Sequence, residues 1–195
     1  MLQDRLRDYR IILASGSPRR QQFFKELGLD FEIRLQPTEE VYPPSLKGNQ
    51  ISDYLAELKA SAFDGTLAPN EILITSDTVV WHNDTSLAKP ADSQEAFKML
   101  KTLSGDWHEV ITSICFATID GKRTVHDTTR VKFKPLTNDE IQYYIDQYQP
   151  YDKAGAYGIQ EWLGHTAIEQ IQGSYTNVMG LPTHILYKTL TDMAG

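Results

Sequence analysis

Three short stretches of this chain combine residue types that do chemistry. The first is Ser15-Gly16-Ser17-Pro18-Arg19-Arg20, which follows an apolar run and opens a helical pattern. Free backbone N–H groups at a helix start bind anions, and small or hydroxylated residues let phosphate oxygens come close. Arginine forks match phosphate geometry and stay charged. Two arginines in a first turn run against the helix dipole, so they need either an anion or solvent. A phosphate site and a solvated helix start are the two readings. No GxxxxGK[ST] sequence occurs, so this is not a P-loop.

The second stretch is Thr38-Glu39-Glu40, whose paired carboxylates suit either a divalent cation or plain solvent. The third is Ser76-Asp77-Thr78, which ends a strongly apolar run. In open α/β sheets ligands gather at strand C-termini, and an aspartate there serves as general base, metal ligand or turn cap. Lys59, in a helical run, and Lys89, in a Lys-Pro loop, are cations that neutralise phosphate or face solvent. Gln160, at the end of GAYGIQ, carries the donor and acceptor that can read the edge of a base.

Other chemistries lack support. His82, His108, His126, His165 and His184 show no zinc-binding spacing, and the single cysteine, Cys115, lies in an apolar run that reads as core. Ser15 and Ser17 lie outside any GxSxG elbow, which argues against acyl transfer. Tyr143, Tyr144 and Tyr148 share one helical run and read as packing.

The elements that must position these residues can be read from periodicity. Tyr9 to Ala14 is a strand run, and Ser17 is expected to cap a helix with Pro18 at its first position, ended by Gly28. LDFEIRL alternates like a strand. Ile51, Leu55, Leu58 and Ala62 recur at helical spacing, EILITSDTVV is a strand, and QEAFKMLKTL is a helix closed by Gly105. WHEVITSICFATI and RTVHDTTRVKFKPL flank a DGK hairpin turn. Thr137 and Glu140 form a capping box. DKAGAYGIQ is glycine-rich loop, LGHTAIEQIQG alternates weakly as a strand, and LPTHILYKTL is a terminal helix. The pattern predicts an α/β fold with a mixed sheet, a single domain over 1–195 in two lobes without a clean linker.

The chain has 195 residues and a net charge of −7. That acidity speaks against a broad nucleic-acid-binding face. No stretch approaches the roughly 20 apolar residues of a membrane span, and the charged N-terminus does not resemble a signal peptide. The expectation is a cytoplasmic protein.

Taken together, LASGSPRR, the paired glutamates of PTEEVYP, SDTVV, LAKP, LSGDWHEVIT, DKAGAYGIQ and GSYTNVMGLP resemble, in order and over nearly the whole chain, the Maf family of nucleoside triphosphate pyrophosphatases. The resemblance implies hydrolysis between the α- and β-phosphates with Mg²⁺ or Mn²⁺. It also implies an elongated two-lobed α/β fold similar to inosine triphosphatases, with the site in the inter-lobe cleft, and a homodimer. GAYGIQ looks like the branch acting on dTTP and UTP. On this resemblance Asp77 is the proton acceptor, and Arg19, Thr78 and Gln160 set substrate choice. Arg20, Lys59 and Lys89 match basic positions facing the phosphates, beside Ser15 and Ser17 of the helix start, and Glu40 matches an acidic position near the metal, with Asp77 the second candidate ligand. Ser76 and Glu161 depart from the family pattern, which more often has alanine and glycine there. The alternative to an enzyme is a nucleotide-binding regulator of cell division without catalysis.

Overall fold

A computed structural model describes residues 1–195. In chain order the helices are α1 (Leu2–Arg5), α2 (Pro18–Glu26), α3 (Asn49–Ser61), α4 (Ser93–Leu103), α5 (Asn138–Tyr148), α6 (Trp162–Ala167), α7 (Tyr175–Val178) and α8 (Thr183–Met193). The strands are β1 (Arg10–Leu13), β2 (Phe31–Ile33), β3 (Glu71–His82), β4 (Thr85–Leu87), β5 (Trp107–Thr118), β6 (Gly121–Phe133) and β7 (Ile168–Gln172). They form one mixed sheet in the order β2-β1-β3-β5-β6-β7, with β4 also paired to β3. β1 runs parallel to β2 and β3, while β3, β5, β6 and β7 are mutually antiparallel neighbours. The expected mixed sheet flanked by helices is therefore present.

Alternation along β3 and β5 sends residues to opposite faces. On one face Ile12, Leu73, Cys115 and Ala117 pack against Ala56, Ala60 and Phe63 of the α3 region. The other face carries two separate cores. Ile72, Ile74, Ile114 and Phe116 pack with Phe23, Phe24, Leu186 and Leu190 of α2 and α8. Val80, Val110, Val131 and Phe133 pack with Leu100, Ile141 and Tyr144 of α4 and α5. A buried polar band lies between these cores: the Thr112 hydroxyl donates to the Asn177 carbonyl (3.0 Å), and Asn177 Nδ2 donates to the Val110 carbonyl and to Thr129 Oγ1, both at 2.9 Å.

The capping box at α5 is present, with the Glu140 N–H donating to Thr137 Oγ1 and the Thr137 N–H to the Glu140 carboxylate. Several expectations need correction. LGHTAIEQIQG is not one strand: its first half is α6 and only Ile168–Gln172 is β7. The buried pair Leu163 and Ala167 has helical spacing, and the helix packs Gly164 directly on the Ile159 carbonyl. LDFEIRL pairs over three residues only. The short strand β4 follows a tight turn at Asn83 and Asp84, both left-handed (φ 47° and 58°). The charged N-terminus forms α1, and Leu2 and Leu6 anchor it in the core.

A candidate active site in a break of the sheet

Asp77 does not end its strand. β3 continues to His82, because Thr78, Val79 and Val80 favour extended backbone and β5 pairs with every residue from Leu73 to Trp81. What ends is the neighbour on the other side. β1 pairs up to Ile74, and the Ala14 N–H makes the last link to the Ile74 carbonyl at 2.9 Å. β4 pairs only from Val80 onward. Between these points Thr75 to Val79 have a strand on one side only, and alternation turns the peptide groups of Ser76 and Thr78 toward the open side. A cleft of ≈ 1180 Å³ lies here, and Ser15, Ser17, Arg19, Arg20, Glu40, Lys59, Asp77, Thr78, Lys89 and Gln160 all line it. The residues named for phosphate, base and proton transfer thus lie at one place, whereas Glu39, the first of the paired glutamates, is not part of the lining.

The turn after β1 leads into α2. Ser17 holds the expected cap position with extended backbone, but its side chain caps no N–H; its own N–H donates to Ser15 Oγ at 3.3 Å. The first turn keeps free donors as a result. Arg20 fills the break in the sheet. It donates through Nη1 to the Ser76 carbonyl (2.8 Å), through Nε to the Gly180 carbonyl (2.9 Å) and through Nη2 to Thr78 Oγ1 (3.2 Å). Much of its hydrogen-bonding capacity therefore goes to the protein. Arg19, one residue earlier, makes no ion pair or hydrogen bond and lines the cleft.

Asp77 is buried at 7 % exposure. Its Oδ1 accepts from Lys59 Nζ at 2.5 Å, and its Oδ2 has no partner in the protein. Burial raises its pKa, against the opposing charges of Lys59 and Arg20. Lys59 also contacts Glu40 at 2.9 Å. Burial disfavours the Glu40 anion, but the hydrogen bond and charge of Lys59, with Lys89 and Arg20, outweigh it and hold Glu40 below the usual range. Lys59 reaches this point because α3 is pinned to the sheet: Thr75 Oγ1 donates to the Ala56 carbonyl (2.6 Å) and Ser113 Oγ contacts Ser52 Oγ (2.7 Å). Lys89 has no protein partner.

The far wall is the loop of residues 149–161. Gly155 sits against Val80 with a left-handed backbone (φ 69°), and a Cβ at this position would lie 3.0 Å from the Val80 methyl carbons, which leaves no room for a side chain. Tyr157 hydrogen-bonds His108 at 2.7 Å. The Gln160 carbonyl contacts His165 at 3.0 Å, while its side-chain amide has no protein partner. Sequence reasoning missed Asp152 and Lys153, which also line the cleft; their only signal was membership of the DKAGAYGIQ stretch.

A divalent cation takes oxygen ligands, and Mg²⁺ in particular uses one or two carboxylates completed by phosphate and water. Glu40 and Asp77 are two such carboxylates with Lys59 between them, and no three metal-binding side chains converge. The donor set suits a cation that arrives with a polyphosphate rather than one caged by protein alone.

Comparison with known proteins agrees with this architecture. Residues 10–193 match the family model for Maf-like protein. A dTTP/UTP pyrophosphatase of Flavobacterium johnsoniae is 59 % identical over 193 residues, covering 99 % of this chain and 100 % of its own length. A protein of the same name from Christiangramia forsetii is 50 % identical, covering 99 % and 98 %. The fold is shared with the Staphylococcus aureus Ham1 protein, at a TM-score of 0.56 and 14 % identity over 94 % of this chain and 99 % of that one. With a match that spans the strand break, the lysine-bridged carboxylates and the glycine-rich wall alike, the chain belongs to the Maf family.

Proposed function

We propose that this protein hydrolyses dTTP and UTP, and modified pyrimidine relatives of them, to the monophosphate and pyrophosphate. The observation that carries the reading is the buried carboxylate of Asp77, with one oxygen held by Lys59 and the other free, in a cleft lined by uncommitted cations. The names and full-length identity of the relatives support the substrate class.

Asp77 Oδ2 accepts the proton of the attacking water. Lys59 favours the ionised form of that carboxylate against its burial and fixes its direction. Arg19, Lys89, Ser15 and Ser17 bind the phosphate oxygens, and Arg20 adds positive charge from within the sheet break. Glu40 and Asp77 would hold a divalent cation, Mg²⁺ or Mn²⁺, which would supply charge neutralisation for the triphosphate. Arg19, Thr78 and Gln160 set the choice of base, with the free amide of Gln160 offering both a donor and an acceptor. The protein works as a single domain of two lobes, one for each core on the shared face of the sheet, in a cytoplasmic homodimer; sedimentation tests the dimer. No helix is long and apolar enough to cross a membrane.

The test is pyrophosphate release from dTTP, UTP, CTP, GTP and 7-methyl-GTP with Mg²⁺ or Mn²⁺. The expected result is release chiefly from dTTP and UTP. Tight binding without release from any of them would leave a nucleotide-binding regulator instead.

A further inference from the structure

The cations of the cleft differ in what they are already doing. Lys59 is shared between Glu40 and Asp77, and Arg20 is bound to Ser76, Thr78 and Gly180. Arg19 and Lys89 are free for phosphate. Lys153 belongs to neither group. Its side chain is 10 % exposed, and its ammonium contacts Asp152 Oδ1 at 2.8 Å and Glu161 Oε1 at 3.0 Å. An ammonium has three N–H donors, so one remains without a protein acceptor in a residue that lines the cleft.

Glu161 is itself held from behind. Its Oε2 accepts the hydroxyl of the buried Tyr144, and that hydroxyl accepts the Gly158 N–H at 3.0 Å. The clamp closes over Gly158, where a Cβ would lie 2.9 Å from Glu161 Cδ and 3.1 Å from Lys153 Cε. Thus Tyr144 of α5 ties Gly158, Glu161 and Lys153 into one unit within the loop that carries Gln160.

Charge decides what Lys153 can recognise. Two carboxylates bracket it, which cancels most of its longer-range pull on a phosphate. What is left is a short-range, directional donor that cannot accept. Uracil and thymine present a carbonyl oxygen at O4, where cytosine presents an amino donor. A fixed donor pairs with the first and opposes the second. Building on the nucleotide reading above, we propose that Lys153 is a further substrate-binding residue that donates to O4 of the pyrimidine, and that Glu161, backed by Tyr144, positions it.

The probes are UMP, CMP and inorganic pyrophosphate, with binding measured by calorimetry beside the kcat/KM values for UTP and CTP. In the parent protein UMP is expected to bind more tightly than CMP. Lys153→Met should lower that preference about tenfold or more, the size of one charge-assisted hydrogen bond, and leave pyrophosphate binding within about twofold. Glu161→Gln should lower it in the same sense and add little in the Lys153→Met background, because it acts through Lys153. The double variant leaves neither partner charged and alone, so it covers the case in which a single variant fails to fold. An unchanged preference in the folded double variant, a loss confined to pyrophosphate binding, additive effects, or no preference in the parent would each overturn the proposal. A parent that binds UMP selectively but releases no pyrophosphate from any nucleotide would refute the hydrolase reading and leave this one standing.

Discussion

Replacing Asp77 with asparagine separates what the carboxylate does for chemistry from what it costs the fold. Asparagine is nearly isosteric, and its amide oxygen still accepts from Lys59, so the 2.5 Å contact has a successor. The oxygen proposed to accept the proton is lost. General-base catalysis contributes about 10²–10⁴ in rate, or about 2.7–5.5 kcal/mol of barrier. We expect kcat for dTTP to fall by that factor. Nucleotide affinity should hold or tighten, since one negative charge leaves a cleft that must receive a polyanion. Stability moves the other way. Burial raises the Asp77 pKa above its unfolded value despite Lys59, so the ionised side chain favours the unfolded chain near neutral pH. Below the unfolded pKa no such penalty exists; it grows as pH rises through the folded pKa. Asp77→Asn should therefore melt at a higher temperature than the parent at about pH 7, and the two should converge in acid. In the parent, the acid limb of kcat/KM should lie above the ordinary aspartate range. Pyrophosphate release, nucleotide titration and thermal melts at several pH values provide the readouts. A kcat within tenfold of the parent would remove Asp77 from its role, and a lowered melting temperature at neutral pH would refute the balance between burial and Lys59.

Three further outcomes follow from other contacts. Lys59→Met takes away the cation that favours both ionised carboxylates, so Asp77 and Glu40 should bind protons more readily; kcat/KM should drop about tenfold or more at about pH 6 and less at about pH 8, as a pH–rate profile will read. Ser76 Oγ is buried without a hydrogen-bond partner, while its carbonyl is taken by Arg20, so Ser76→Ala should stabilise the fold by about 1 kcal/mol in denaturant titration. Glu71, 3 % exposed, accepts two hydrogen bonds from Arg34 (2.9 and 3.1 Å) and one from the Ala68 N–H (3.1 Å), and with Arg34 foremost is held at about 2. Its stabilisation is present above the ordinary glutamate pKa and disappears as pH falls through about 2; Glu71→Gln should cost about 2–4 kcal/mol at neutral pH and much less in strong acid, measured by urea unfolding.

Local signals were legible where one short stretch contains both partners. The proline at the start of α2 and the Thr137–Glu140 capping box are cases, since their geometry is fixed within a turn. The cleft residues were legible as types. What the sequence could not display is which neighbour stops. Asp77 looked like a strand end because polar residues follow an apolar run, but those polar residues face a gap left where β1, a strand from far earlier in the chain, comes to its end. Arg20 looked like a phosphate ligand because its three acceptors, at Ser76, Thr78 and Gly180, are far away in sequence. The clamp of Lys153 by Glu161 was hidden for the same reason, and Tyr144 read only as packing. In LGHTAIEQIQG two periods overlap, and the buried Leu163 and Ala167 decide for a helix in its first half.

The break in the sheet has a consequence beyond catalysis. Five residues of β3, from Thr75 to Val79, lack a strand on one side, and unpaired edges of this kind are where proteins recruit one another into aggregates. Here the opening is occupied by the Arg20 guanidinium and flanked by Asp77, Lys59 and Glu40. A foreign strand would have to strip water from all of them and displace an arginine. A nucleotide, being short and charged, does not. The same charges that suit the cleft to a nucleotide therefore also guard this edge against pairing with a strand of another chain.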